Sequence, residues 1–138
     1  VLFRSRFPCL RKVKDKKSSS IMEALRAIQE EFGGSFEELF ETITTDNGRE
    51  FSRLPELEEG CNLRIYYAHP YCPSDKGMIE NMNRIIRRFI PKGKRLEDCT
   101  ENEIIAIQQW LRDLPRKKLG YHTAQECFLN ECRKASIC

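Results

Sequence analysis

Residues Thr42–Phe51 read Thr-Ile-Thr-Thr-Asp-Asn-Gly-Arg-Glu-Phe. Four β-branched residues in succession predict a short buried strand over Thr42–Thr45, because branching at Cβ favours extended backbone. Asp46-Asn47-Gly48 then supplies turn chemistry, with side chains that bond their own backbone and a glycine that bends without steric cost. The strand therefore ends on a carboxylate, Asp46. Carboxylates at the ends of parallel or central strands commonly face a cleft. The same tripeptide between apolar runs is also what a plain hairpin turn needs, so taken alone it does not separate chemistry from a turn.

Downstream, Leu54–Glu59 reads as a short helix ended by Gly60, Leu63–Tyr67 as a second strand and His69–Pro73 as a turn. Ser74–Ile90 is the most informative helix. At about 100° per residue, Ile79, Met82, Ile85, Ile86 and Phe89 form one apolar stripe that must face a core. Lys76, Asn81, Asn83, Arg84, Arg87 and Arg88 fall on the opposite side, around Glu80, which therefore projects outward. Pro91-Lys92-Gly93 stops the helix. Thr100 and Glu103 form a capping box that opens a helix over Glu101–Leu114, and Pro115 ends it. Arg116-Lys117-Lys118 is a basic connector, and Thr123 caps a last helix through Leu129.

Upstream, Val1–Phe7 alternates apolar and basic residues and reads as a strand. Pro8 interrupts it, and Cys9–Val13 reads as a second, partly buried strand. Asp15–Ser20 is a polar turn with several potential caps. Ile21–Phe32 follows as a helix ended by Gly33-Gly34, and Ser35–Phe40 is another short helical turn.

The 138 residues suffice for one domain with a real core. Apolar residues make up 40%, with seven Gly and six Pro, which excludes disordered and fibrous classes. No run approaches 18 apolar residues, so no transmembrane helix and no membrane partner are expected. The chain begins with Val and no apolar signal stretch follows, so it reads as part of something longer. Charge is uneven. Residues 1–17 carry a net +6, residues 18–83 a net −8 and residues 84–118 a net +5 within an overall +3. Basic segments around an acidic middle suit a polyanion held near carboxylates, and equally suit plain solvated faces. Seven scattered cysteines include no Cys-x-x-Cys pair. His122, Cys127, Cys132 and Cys138 match no common zinc spacing. Reduced thiols in a cytoplasmic protein are the expectation. A Cys–His nucleophile pair is disfavoured, because His69 sits directly before Pro70 in a turn-like segment.

Asp46 and Glu80 are the places where chemistry can live. If their elements pack side by side, paired carboxylates near arginines suit Mg²⁺, a hard cation that takes phosphate oxygens as further ligands. Two such ions activate an attacking oxygen and stabilise the leaving oxygen of a phosphodiester. A single Glu on a polar helix face is, by itself, ordinarily just solvated.

The order and spacing of several motifs change that balance. Thr44-Thr45-Asp46-Asn47-Gly48-Arg49-Glu50-Phe51 resembles the TxDNGxEF segment of DDE transposases, and the 33 residues between Asp46 and Glu80 are similar to that superfamily's gap. Tyr67-Ala68-His69-Pro70-Tyr71 resembles the segment before its final acid. Lys76-Gly77-Met78-Ile79-Glu80-Asn81-Met82-Asn83 resembles its helix start. Ile86–Gly93 and Pro115-Arg116-Lys117-Lys118-Leu119-Gly120-Tyr121-His122-Thr123 narrow the resemblance to the insertion-sequence-thirty family of bacterial transposases, over about Arg4 to Phe128.

The resemblance implies an α/β, RNase H-like (integrase catalytic core) fold, a mixed sheet flanked by helices. Residues 1–98 would be that core and 99–138 a C-terminal helical extension of the same domain. It implies Mg²⁺-dependent strand cleavage and strand transfer at the ends of an insertion sequence, with Mn²⁺ able to substitute. Asp46 would be the second catalytic, metal-binding acid and Glu80 the third. Asn81, Asn83, Arg84, Arg87 and Arg88 would lie near the site or near DNA, with Lys92 and Arg116, Lys117 and Lys118 as phosphate contacts. The partners implied are transposon-end and target DNA, and a homo-oligomer, since two ends are joined.

The family's first catalytic Asp and its strand have no counterpart ahead of Val1–Phe7, and neither has its helix-turn-helix region. The expectation is a core missing its first strand, with two of three acids and little strand transfer alone. Asp15 matches a turn and not the catalytic position. Ala124 stands where the family usually has Pro, and Leu114 where Asn is common. The alternatives are a non-catalytic DNA-binding remnant or regulator from a truncated element, a general RNase H-like nuclease, and a zinc-binding interaction module.

Overall fold

The structure, a computed structural model, describes residues 6–68 and 77–134, the side chains of Met78 and Ile79 excepted. Two compact units emerge, one of residues 13–78 and one of residues 1–12 with 79–138.

In the first unit, α1 spans Ser18–Phe32, three residues earlier than its apolar pattern indicates. Its first turn has no cap from Lys17. Asp15 takes that place instead: its carboxylate accepts from the Lys17 N–H at 3.0 Å and from the Ser20 hydroxyl at 2.6 Å. These bonds, Ser20's first, hold the Asp15 carboxyl below its ordinary pKa. Gly33, at φ 54°, turns the chain out of the helix, a conformation that a Cβ would strain. A single 3-10 turn leads into α2 (Phe36–Leu39). There Phe36 stacks on Phe40 at 4.3 Å, and Phe32 meets Phe40 edge-on at 5.5 Å.

Two strands follow, β1 (Thr42–Thr45) and β2 (Arg64–Tyr67). They pair in parallel with Thr42 opposite Arg64 and Thr45 opposite Tyr67. The chain between them makes 3-10 turns at Arg49–Phe51 and Leu54–Leu57, and α1 packs against the first of these. Both strands stand where the sequence puts them, but β1 is not buried. Its residues alternate exposed and half-buried, since among the described residues it has one neighbouring strand. Among the described residues, Met22, Ile28, Phe36, Phe40, Leu54, Leu63 and Ala68 are the buried apolar residues of this unit. The architecture is helix-rich with a small parallel sheet, an α/β arrangement.

The second unit is helical. Its helices are α3 (Gly77–Phe89, of which Ile79 onward belongs here), α4 (Glu101–Asp113) and α5 (Ala124–Lys134). Met82, Ile90, Cys99, Ile107 and the fully buried Leu111 form the core, with Leu10, Ile85, Ile86 and Ile104 packed against it. The capping box at α4 is present: the Thr100 hydroxyl accepts from Glu103 N–H, and the Glu103 carboxylate accepts from Thr100 N–H. A second one opens α5 through Thr123 and Glu126. α5 runs to Lys134, past the expected end at Leu129, because Ala124, Phe128 and Cys132 keep one buried face through the added turn.

The expected strands at Val1–Phe7 and Cys9–Val13 are corrected where they are described. Arg6 takes a left-handed φ of 63°, which an extended strand does not allow. Pro8 has no N–H to give a ladder and makes an isolated bridge, not a strand. Leu10 donates its N–H to the buried Gln108 side chain at 2.7 Å, and no partner strand receives it. Lys12 reaches the carbonyl oxygens of Cys99 at 2.7 Å and Glu97 at 3.2 Å. The segment is irregular chain bonded to side chains. Val1–Ser5, the His69–Pro73 turn and the Ser74–Lys76 helix start lie outside the described residues. No helix among the described residues is long and apolar enough to cross a membrane.

Candidate active site

Asp46 lies directly beyond β1, and its surroundings are set by backbone. Ala68, the residue after β2, donates its N–H to Thr45 O at 2.7 Å and accepts from the Asn47 side-chain amide at 3.2 Å. Both chain neighbours of Asp46 are thus tied to one residue just beyond the adjoining strand. The Asp46 carboxylate accepts from Gly48 N–H at 3.1 Å, closing the turn that the Asp-Asn-Gly sequence announces. A Cβ on Gly48 would lie 2.6 Å from a Glu50 carboxylate oxygen and 3.0 Å from Asp46 Oδ1. Two carboxylates therefore converge over Gly48. Glu50 is the neighbour that sequence reasoning missed, and its only signal was its place inside the same Asp-Asn-Gly-Arg-Glu-Phe run.

Glu80 lies in the first turn of α3 and is exposed, as are Asn81, Asn83, Arg84, Arg87 and Arg88. Met82 is buried, and Ile85 and Ile86 half-buried, on the other side. The expected polarity of this helix is therefore present, with Phe89 as an exception: it is exposed and meets Trp110 edge-on at 4.9 Å. Arg84 donates to the Asn81 side chain at 2.7 Å one turn away, so these two polar residues are already partnered. Lys92 is exposed in the turn after the helix, next to Gly93 at φ 103°. Asp46 and Glu80 belong to different units.

The basic connector divides. Lys117 and Lys118 are exposed in a 3-10 turn. Arg116 is half-buried and its Nη2 donates to Leu111 O at 3.2 Å. Burial, and then the charge of Arg6, pull its pKa below the usual guanidinium value.

Asp46 and Glu80 offer the hard oxygen donors that Mg²⁺ takes. In kind each carboxylate fits such an ion, and among the described residues no three metal-ligating side chains cluster. Cys61, Cys99 and Cys127 are free thiols.

No protein-family model matches the chain. Curated transposases do. It is 38% identical over 99 residues to the transposase for insertion sequence element IS4351 of Bacteroides fragilis, covering 72% of this chain and 30% of that protein. It is 30% identical over 125 residues to the probable transposase for insertion-like sequence element IS1161 of Streptococcus salivarius, 91% of this chain and 34% of that protein. Transposase InsI for insertion sequence element IS30C of Escherichia coli K12 matches at 30% over 123 residues, 89% of this chain and 31% of that protein. The chain belongs with the IS30-like insertion-sequence transposases. It spans about a third of the length of the curated relatives it matches. In this chain, then, the strand-end carboxylate sits in a turn braced from both sides, and the polar face of α3 is open to solvent.

Proposed function

We propose that this chain is catalytic-core sequence of an insertion-sequence transposase that cleaves DNA at element ends and transfers the strands to target DNA. What carries the reading is its 30–38% identity to curated transposases over 72–91% of its length. On this reading the parallel β1–β2 pair belongs to an RNase H-like mixed sheet. Residues 1–98 form the integrase-type core and 99–138 its helical extension.

Asp46 and Glu80 each contribute a carboxylate to Mg²⁺, with Mn²⁺ as a substitute. The bound ion supplies activation of the attacking oxygen and stabilisation of the leaving oxygen. The chain's own residues do the rest. The Ala68 bonds on either side of Asp46 fix where its carboxylate points, which a metal ligand needs. Asn81, Asn83, Arg84, Arg87 and Arg88 on α3, with Lys92, Arg116, Lys117 and Lys118, hold the DNA backbone, since phosphate contacts position without reading sequence. A homo-oligomer brings two element ends together, and the protein acts on DNA in the bacterial cytoplasm.

The test is Asp46→Asn and Glu80→Gln in a transposase carrying these 138 residues. Each abolishes strand cleavage and leaves the thermal midpoint and DNA binding in place. Near-wild-type cleavage by either variant rejects that residue's role as a metal ligand.

A further inference from the structure

The chain from Pro115 to Thr123 closes on itself. Pro115 and Thr123 form an isolated antiparallel bridge. Inside it, Arg116 N–H donates to His122 O at 3.1 Å, and Arg116 O accepts from Leu119 N–H at 2.9 Å and from Tyr121 N–H at 3.0 Å. His122 N–H donates to Leu119 O at 3.2 Å. The half-buried Arg116 is the hub, so the loop's shape is imposed from within.

That shape has a cost. Gly120 and Tyr121 are both left-handed, at φ 62° and 66°. Glycine accepts this freely, whereas a bulky aromatic residue there is a genuine outlier. The strain is not offset by burial. Tyr121 is 70% exposed, more than any other large apolar residue among those described. Among the described residues, its ring stacks on no other ring. Lys117 and Lys118 stand exposed on the same loop, and His122 beside it is exposed too. An internally bonded loop that holds an aromatic ring in water, with two exposed cations in the same loop, is not explained by folding. Strain of this kind persists where function uses the conformation.

We propose that Tyr121 is a base-stacking contact, which takes a nucleobase unpaired from DNA while Lys117 and Lys118 hold the flanking phosphates. The proposal rests on the DNA reading above and adds a residue and a substrate form to it. Lysines ask for anions and an aromatic face asks for a flat π surface, and a nucleotide presents both within one repeat. Every base has such a face, so the contact tolerates any sequence. Because the loop is held before binding, little ordering is left to be done at the moment of contact.

The test measures binding of the 138-residue chain to a fully paired duplex and to the same duplex with a single-stranded overhang, across a salt series. Tyr121→Gly should weaken overhang binding by about 5- to 150-fold, as loss of a base stack does, and leave the paired duplex nearly unchanged. Tyr121→Phe should bind like wild type. The thermal midpoint of Tyr121→Gly should match or exceed wild type, because glycine relieves the left-handed strain. The double variant Lys117→Ala, Lys118→Ala should flatten the salt slope on both DNAs by about two. Unchanged overhang binding by Tyr121→Gly, with wild type binding DNA, overturns this proposal alone. So does a lowered midpoint, which makes the ring structural. Absence of wild-type binding to either DNA at low salt overturns the DNA reading together with it.

Discussion

The side-chain amide of Asn47 donates to the carbonyl oxygen of Ala68 at 3.2 Å, while Ala68 N–H donates to Thr45 O at 2.7 Å. A single residue beyond β2 therefore grips the residues on both sides of Asp46. A strand-end carboxylate in an otherwise exposed turn would wander, and this pair of bonds limits it.

Asn47→Ala removes one of the two grips. It should lower stability by about 1 kcal/mol, the net worth of an intramolecular hydrogen bond, read as a shifted urea midpoint at unchanged slope. Asn47→Asp also lacks the amide donor, so it should fall at least as far. Full stability in both variants would show that the Ala68 N–H bond suffices.

Gly48→Ala probes the carboxylates without touching the fold. Gly48 has an ordinary φ of −62°, so alanine meets no backbone strain. Its Cβ would instead intrude at 2.6 Å on the Glu50 carboxylate and at 3.0 Å on Asp46 Oδ1. The Glu50 carboxylate must move aside, and Asp46 Oδ1 must give by a few tenths of an ångström, which distorts its bond from the residue 48 N–H. In a transposase carrying this chain, the thermal midpoint should stay close to wild type. Mg²⁺-dependent strand transfer should fall by about tenfold or more, as displaced ligand geometry costs. Undiminished strand transfer would mean that the orientation of Asp46 does not matter.

What could be read in advance was what local chemistry decides. Thr100 and Glu103 announce the start of α4, because a capping box satisfies its own backbone donors. Thr42–Thr45 announces a strand by β-branching, and Met82, Ile85 and Ile86 announce which face of α3 goes inward. What was missed depends on distant partners. Leu10 reads as a strand residue within Cys9–Val13, a second, partly buried strand after Pro8. It is half-buried for another reason, against α4, with its N–H on Gln108. Arg116 reads as one of three equivalent cations, and only the fold turns it inward to Leu111 O. The motif alone singles out Asp46 and Glu80, whereas the Ala68 clamp needs β2 beside β1.

Acid should unfold this protein partly through its two capping boxes. The Glu103 carboxyl is held below its ordinary pKa by the Thr100 N–H and then by Lys94, and the Glu126 carboxyl by the Thr123 N–H and then by His122. A folded pKa lowered below the unfolded one gives stability that is present above the unfolded value, roughly 4.3 for Glu. It is lost as pH falls through the folded value. The urea midpoint should therefore be flat from neutrality to about pH 5 and decline below the unfolded Glu pKa. In the double variant Glu103→Gln, Glu126→Gln the acid decline should be shallower. An identical decline in the double variant would assign the acid limb to other carboxylates.

The last prediction concerns how the N-terminal chain is held to its unit. Arg112, on α4, lays its guanidinium over the Phe7 ring at 4.0 Å and donates through Nε to Pro8 O at 3.2 Å. Phe7 in turn stacks on Phe128 of α5 at 4.1 Å. Burial lowers the Arg112 pKa from its usual value, with the neighbouring Cys9 opposing that shift. A planar group is needed to stack and to donate sideways at once, and an ammonium cannot do both. Arg112→Lys should thus cost about 1–2 kcal/mol, the sum of a cation–π contact and a hydrogen bond. Arg112→Ala should cost more, because the stem that covers Phe7 goes as well. Urea unfolding should rank wild type above Arg112→Lys and that above Arg112→Ala. Equal midpoints for arginine and lysine would mean that charge alone, and not the plane of the guanidinium, seats Phe7 between α4 and α5.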